Sequence, residues 1–177
     1  MVPLDRLSAA WREQYVQDAT LSERLGSSSE CVFCDLLTDG VSESSGIITM
    51  TTFSFLILNA FPYGSGHVLV LPRRHIQSLE ELTDEEAVDF FALLRRSVVV
   101  LKKTYGPDGL NVGFNLGRAA GAGIPQHLHG HILPRWNGDT NFMTTLGETR
   151  ILPESLTSTW SKISVVLNGP DFDSGAN

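Results

Sequence analysis

The chain reads as an α+β domain built on an antiparallel sheet with one long helix, and three observations say so. Short β-rich runs fill the first half, a single strongly capped helical segment follows at Thr83–Tyr105, and two further strand-like runs come after it, Leu110–Leu116 and the histidine-bearing stretch near His127–Leu133. At 177 residues the length prior gives one domain, residues 1–177, able to bury a core without covalent staples.

Taken in order, Leu4–Tyr15 spaces Leu7, Trp11 and Tyr15 as a helix would. It is either a short arm, packed on the body or on a second subunit, or a frayed terminus. It has no apolar run of the kind a secretion signal needs. Gly26–Ser29 is a loop, and Cys31-Val-Phe-Cys34 follows it. Two cysteines at this spacing, with no secretion signal, read as a metal or redox pair or as two buried apolar side chains, not as a disulfide scaffold. Gly46–Met50 and Phe53–Leu58 are β-rich; Pro62, Gly64 and Gly66 then punctuate a tight connection into the strand His67–Leu71, which Pro72 stops.

Thr83-Asp-Glu-Glu86 has the form of a capping box, in which Thr83 accepts from a free N–H while Glu86 reaches back. The helix it opens carries Val88, Phe91, Leu94, Val98, Leu101 and Tyr105 as its expected core stripe, has Lys102 and Lys103 in its last turn, and stops at Gly106-Pro107. Leu110–Leu116 puts Asn111, Gly113 and Asn115 on one face, and is expected to pair with the histidine strand across a long Gly- and Ala-rich connector, Gly117–Gln126. Such a loop lets backbone N–H groups close around phosphate oxygens, although a plain flexible linker has the same composition. Leu152–Leu167 reads as a short helix or arm, and Asp171–Asn177 as a disordered tail.

The chemistry concentrates in Gln126–Trp136. If this stretch is extended, His127, His129 and His131 share one face while Leu128, Gly130 and Ile132 take the other. Imidazole, with an ordinary pKa of about 6.5, serves as nucleophile, acid, base or metal ligand, so three on one strip point to a site. The alternate apolar face argues against a solvent-exposed His-rich tract.

The net charge of -7 argues against general nucleic-acid binding, which needs a basic track, so a phosphate ligand must be held by local groups. No apolar run approaches the roughly 18 residues of a membrane span. A cytoplasmic protein is the expectation.

The run His127-Leu-His-Gly-His-Ile-Leu133 resembles the signature of the histidine triad family of nucleotide hydrolases and transferases. Gly130 departs from it mildly, since the family favours an apolar residue there. Asn59, eight residues before His67, resembles the family's ribose-holding position. Pro134-Arg-Trp136, Gly138-Asp139, Asn141-Phe142, the stretch Asn59–His67 and Leu7–Val16 resemble the branch of diadenosine tetraphosphate phosphorylases, or ATP adenylyltransferases, so the resemblance spans residues 4–145.

The resemblance implies that His129 attacks the α-phosphorus to form a nucleotidyl-histidine, with His131 and Asn115 at the phosphate. Gly121, Ala122, Gly123 and Gln126 would lie along the phosphates, and Phe33, Leu36 and Leu58 about the base. It implies a structural zinc on Cys31, Cys34, His75 and His127, and a homodimer. The activity implied is phosphorolysis of diadenosine tetraphosphate to ADP and ATP, with inorganic phosphate as acceptor. The alternatives are a dinucleoside polyphosphate or phosphoramidate hydrolase releasing AMP, and a non-catalytic zinc-stabilised nucleotide-binding module. One residue bears on the acceptor. Family hydrolases of diadenosine triphosphate place a glutamine four residues before the first triad histidine, and Gly123 stands there in this chain, leaving room for phosphate unless it serves only the turn.

Overall fold

The computed structural model describes residues 31–139 and 154–169. Five strands form one antiparallel sheet: β1 (Ile47–Met50), β2 (Ser54–Leu58), β3 (Val68–Pro72), β4 (Gly109–Phe114) and β5 (Gly130–Arg135), in the order β1-β2-β3-β5-β4. Helix α1 (Val32–Thr38) precedes the sheet, α2 (Asp84–Tyr105) lies between β3 and β4, and α3 (Leu156–Leu167) follows β5. The α+β class, the long helix and the pairing of β4 with β5 are as the sequence predicts. The segments Leu4–Tyr15 and 171–177, and the Asn141-Phe142 pair, lie outside the described residues.

β2 and β3 are buried along their whole length, which is why both read as near-continuous apolar runs and not as alternating ones. Their two faces feed two cores. Leu56, Leu58, Val68, Val70 and Ile132 pack under α2 and α3 against Phe90, Leu93, Val100, Leu101, Ile163 and Leu167. On the other face Phe55, Ile57, Leu69 and Leu71 pack with Cys31 and Phe33 of the α1 end. The functional site occupies this second face.

The capping box of α2 forms as expected: Glu86 N donates to Thr83 Oγ1 (3.3 Å), and Thr83 N donates to Glu86 Oε2 (2.9 Å). Gly106 ends the helix with φ 54°, in the left-handed region that glycine adopts without strain. The predicted core stripe holds at Leu101, which is buried, and at Leu94, Val98 and Tyr105, which pack against the core, but not at its first two positions. Phe90, Leu93, Ser97, Val100 and Leu101 face the sheet, while Val88 is 73% and Phe91 48% exposed. The helix is apolar on two adjacent sides, so periodicity alone cannot say which side the sheet takes. The second stripe, Val88, Phe91 and Val99, stays outward beside the exposed Val112 of β4.

Glu86 does more than cap. Arg74 grips it through two bonds, Nε to Oε1 (2.8 Å) and Nη2 to Oε2 (2.7 Å), and this draws its carboxyl pKa down to about 2. The grip fixes the chain after β3, and His75 with it, to the start of α2. At the other end of the sheet, Trp160 of α3 donates Nε1–H to Ile47 O (3.0 Å), and Tyr105 donates its hydroxyl to Glu154 (2.9 Å). The C-terminal helix is thus part of the body.

Candidate active site and metal centre

The three triad histidines do not lie on one strand. β5 begins at Gly130, so only His131 is in the sheet, opposite Leu69 of β3 and Gly113 of β4. His127 and His129 precede it, where Leu128 N donates to Ile76 O (2.6 Å). That partner lies in the segment after β3, which draws the chain out of the sheet. Leu128 is buried in the interior, and His127 turns its Nδ1 to Cys31 and Cys34, apart from the task of the other two rings.

Hydrogen bonds fix the tautomers. His129 Nδ1 lies 2.7 Å from His127 O; a carbonyl only accepts, so Nδ1 carries the proton and Nε2 keeps its lone pair. Burial holds the His129 pKa below the ordinary histidine value, although the bond to His127 O opposes this, so the ring is neutral at pH 7. His67 Nδ1 faces the donors Tyr63 N (3.1 Å) and Asn59 Nδ2 (3.2 Å), so it accepts, and His67 Nε2–H donates to His131 Nδ1 at 3.0 Å. His131 is left with its proton on Nε2, 3.5 Å from the Asn115 side-chain amide, whose oxygen is the group able to accept it. Burial, and then the neighbouring His129, push the His131 pKa down to about 4. The site therefore pairs a neutral ring offering a lone pair with a neutral ring offering an N–H, their centroids 5.0 Å apart.

The sequence marks His67 only as the start of a strand and by its spacing from Asn59. It is 1% exposed, but it is also the partner that sets His131. Its fixed spacing from Asn59 was the signal available.

Both rings open on a cleft of about 680 Å³. The predicted Phe33, Leu36 and Leu58 line it, as do Asn59, Asn115, Gly121 and Gly123. Ala122 and Gln126 do not: Ala122 is buried, and Gln126 lines a neighbouring cleft. The expectation of a run of free donors at 121–123 is also reduced. Gly121 N donates to Arg118 O (2.9 Å) and Ala122 N to Gly117 O (3.4 Å), because the loop closes a 3₁₀ turn on itself at Arg118–Ala120. Leu156 and Thr157 of α3, together with Glu43 and Ser44, complete the cleft. None of these four belongs to a motif, so sequence reading passed over them.

Behind the cleft, Cys31, Cys34, His75 and His127 converge, each offering one ligand atom, all within 4.8 Å of one another. Cys31 Sγ lies 3.3 Å from His127 Nδ1, Cys34 Sγ 3.3 Å from His75 Nδ1 and 3.7 Å from His127 Nδ1. A tetrahedral ion with metal–sulfur and metal–nitrogen bonds near 2.3 and 2.05 Å requires S···N edges of about 3.6 Å. His127 Nε2–H donates to Pro72 O (2.9 Å), which turns the Nδ1 lone pair toward the thiols and fixes the ring. The donor set fits a closed four-ligand metal site. It shares its backbone with the active site, since the carbonyl of His127 is the group that orients His129.

Residues 42–138 match the HIT domain family. The chain is 34% identical over 157 residues to the AP-4-A phosphorylase of Mycobacterium tuberculosis, covering 88% of this chain and 80% of that protein. It is 36% identical over 95 residues to the bis(5'-nucleosyl)-tetraphosphatase (asymmetrical) of Schizosaccharomyces pombe, covering 54% and 52%. Among solved structures it is similar to a zinc-bound histidine triad family protein from Mycobacterium smegmatis, with a TM-score of 0.64 and 27% identity over 83% of this chain and 98% of the other. With the triad, its orienting partners and the sheet that holds them in place, the chain belongs to the HIT domain family, whose relatives here are named as nucleotide-processing enzymes.

Proposed function

We propose that the protein is a nucleotidyltransferase that cleaves diadenosine tetraphosphate by phosphorolysis. The observation that supports this most is the His129 ring, held with Nδ1–H on the His127 carbonyl so that Nε2 faces the cleft as a neutral nucleophile. The adenine and ribose lie toward Phe33, Leu36, Leu58 and Asn59. His129 Nε2 attacks the α-phosphorus; the N–P bond forms as the P–O bond to ATP breaks, and ATP leaves with the electron pair. His131 Nε2–H and Asn115 hold the equatorial oxygens, which gain charge in the transition state. Inorganic phosphate then attacks the adenylyl group, the P–N bond breaks back to neutral His129, and ADP departs. Similarity over most of both chains to AP-4-A phosphorylase favours phosphate as acceptor.

The second reading is hydrolysis, with water as acceptor and AMP released, and the similarity to a tetraphosphatase speaks for it. Gly123, on the cleft wall, favours phosphate, because a side chain there would take the volume a second anion needs. An inert binding module is disfavoured by the orientation of both rings for chemistry. The test is product analysis with and without phosphate. ADP plus ATP only when phosphate is supplied supports phosphorolysis, and Gly123→Gln should lower that rate more than any water-dependent one. Equal rates giving AMP and ATP would establish the hydrolase instead.

The Cys31, Cys34, His75 and His127 cluster we assign to a structural zinc, whose four protein ligands leave no coordination position for a catalytic water. Thiolate ligands suit a reducing, cytoplasmic setting, and no helix among the described residues is long and apolar enough to cross a membrane. We also assign a homodimer to the outward stripe of α2 and the edge strand β4, where Val88, Phe91, Val99 and Val112 form an apolar surface next to the end of the sheet.

A further inference from the structure

The tetraphosphate proposed as substrate is a polyanion, yet among the described residues no lysine or arginine lines the cleft of His129, and Glu43 adds an acid. Moving a phosphate chain out of water with no cation is costly. The chain's net charge of -7 offers no diffuse positive field to offset it. The cation must come from a specific neighbour.

A second cleft, of about 540 Å³, lies on the other side of the 117–126 loop. The chain itself divides the two: Asn115, Gly121 and Gly123 line the first, whereas Leu116, Gly117, Arg118 and Gln126 line the second. The loop is therefore a wall that the two clefts share. The second cleft holds the cation that the first lacks, Arg118. It also holds Gln126, whose side-chain Oε1 is buried without a partner. The cleft has its own acid, Glu81, but Glu81 Oε1 already accepts from Gln77 N (3.0 Å), Ser78 N (3.0 Å) and Ser78 Oγ (3.1 Å), so that oxygen is engaged by three local donors.

We propose that this second cleft is the subsite for the polyphosphate arm of the leaving nucleotide, with Arg118 as its principal binding residue and the Gln126 amide as an additional donor. The proposal rests on the adenylyl-transfer reading for its substrate but assigns a site of its own. As the P–O bond breaks, the departing arm gains a negative charge, and a guanidinium bound to it stabilises that charge. The site selects for oligophosphate length: an acyl- or amine-sized leaving group on the same adenylyl unit does not reach it.

Two measurements test it. In the first, kcat/KM is compared for diadenosine tri-, tetra- and pentaphosphate and for adenosine 5'-phosphoramidate, which has no arm. Arg118→Gln should lower the value for the tetraphosphate about ten-fold, at least five times more than for the phosphoramidate, and should flatten the dependence on chain length, with Arg118→Lys restoring part of it. Lys102→Gln, an equal loss of charge on exposed helix surface, should not reproduce the change. In the second, calorimetry measures binding of inorganic tripolyphosphate to wild type and Arg118→Gln, with matched thermal melts as the check on folding. Weaker binding in the variant supports the subsite even if no dinucleotide is turned over, in which case the transfer reading alone has failed. Normal turnover with tripolyphosphate binding indifferent to Arg118, equal losses on both substrate types, or the same effect from Lys102→Gln would overturn the subsite.

Discussion

Removing one ligand of the metal centre should loosen the whole second face of the sheet. Cys34 is the most informative position, because its thiol touches both His75 and His127 and is itself only partly buried, so Cys34→Ser changes little packing. A site filled at about 100 times its dissociation constant stabilises the folded state by about 2.7 kcal/mol. At about 2–4 °C per kcal/mol for a domain of this size, loss of the metal lowers Tm by about 5–11 °C. The assay is a melt of wild type and Cys34→Ser, each with and without a strong chelator, beside zinc content by mass spectrometry. We expect close to one zinc per wild-type chain, a chelator-induced fall in Tm of that size, and a Cys34→Ser melt that the chelator barely moves. Well under one zinc per chain, both thiols freely titratable and a wild-type melt indifferent to chelator would refute the reasoning.

Three further outcomes follow from the same geometry. Burial holds His129 below the usual histidine value and His131 at about 4, so each ring takes up its proton at a lower pH than an ordinary histidine. The acid limb of kcat/KM should therefore lie clearly below pH 6.5, and a limb at or above 6.5 would contradict the assignment. His67→Leu removes the N–H that sets the His131 tautomer while keeping bulk, and should lower kcat by about 10²-fold with a smaller change in KM; a change confined to KM would argue against this positioning role. Gly130→Val builds a Cβ 2.8 Å from the Phe114 ring and 3.4 Å from Phe90, so denaturant melts should register a loss of about 1–3 kcal/mol.

Gly130 also indicates how far the sequence can be read. As a departure from the family pattern it looked like a tolerated gap, but the gap is filled by Phe114 from the neighbouring strand, a contact that no one-dimensional pattern reveals. Capping chemistry at Thr83 and Glu86 was legible because it is local, and the second bond of Glu86, to Arg74, was not. The same division runs through the site. Spacing marked out His127, His129 and His131, and the resemblance to the family joined Cys31, Cys34, His75 and His127 into the ligand set that the structure brings together. The departure of His127 from the sheet and the packing of α3 beside the cleft go with tertiary hydrogen bonds to Ile76 and Ile47, whereas the inward turn of two loop donors comes from a local 3₁₀ turn that composition does not announce. The α2 stripe is legible at Leu94, Val98, Leu101 and Tyr105 but not at Val88 and Phe91, because two apolar faces compete there and only the sheet decides between them.

The most direct test of the account is to trap the covalent intermediate. Wild-type protein mixed with diadenosine tetraphosphate in the absence of phosphate, quenched at neutral to alkaline pH and read by intact mass and peptide mapping, should carry one adenylyl group on His129 that disappears when phosphate is added and ADP forms. His129→Ala should show no adduct and a kcat below about a tenth of wild type, a barrier increase greater than about 1.4 kcal/mol. Full turnover in His129→Ala, or an adenylyl group found on His131 or any other residue, would contradict the account.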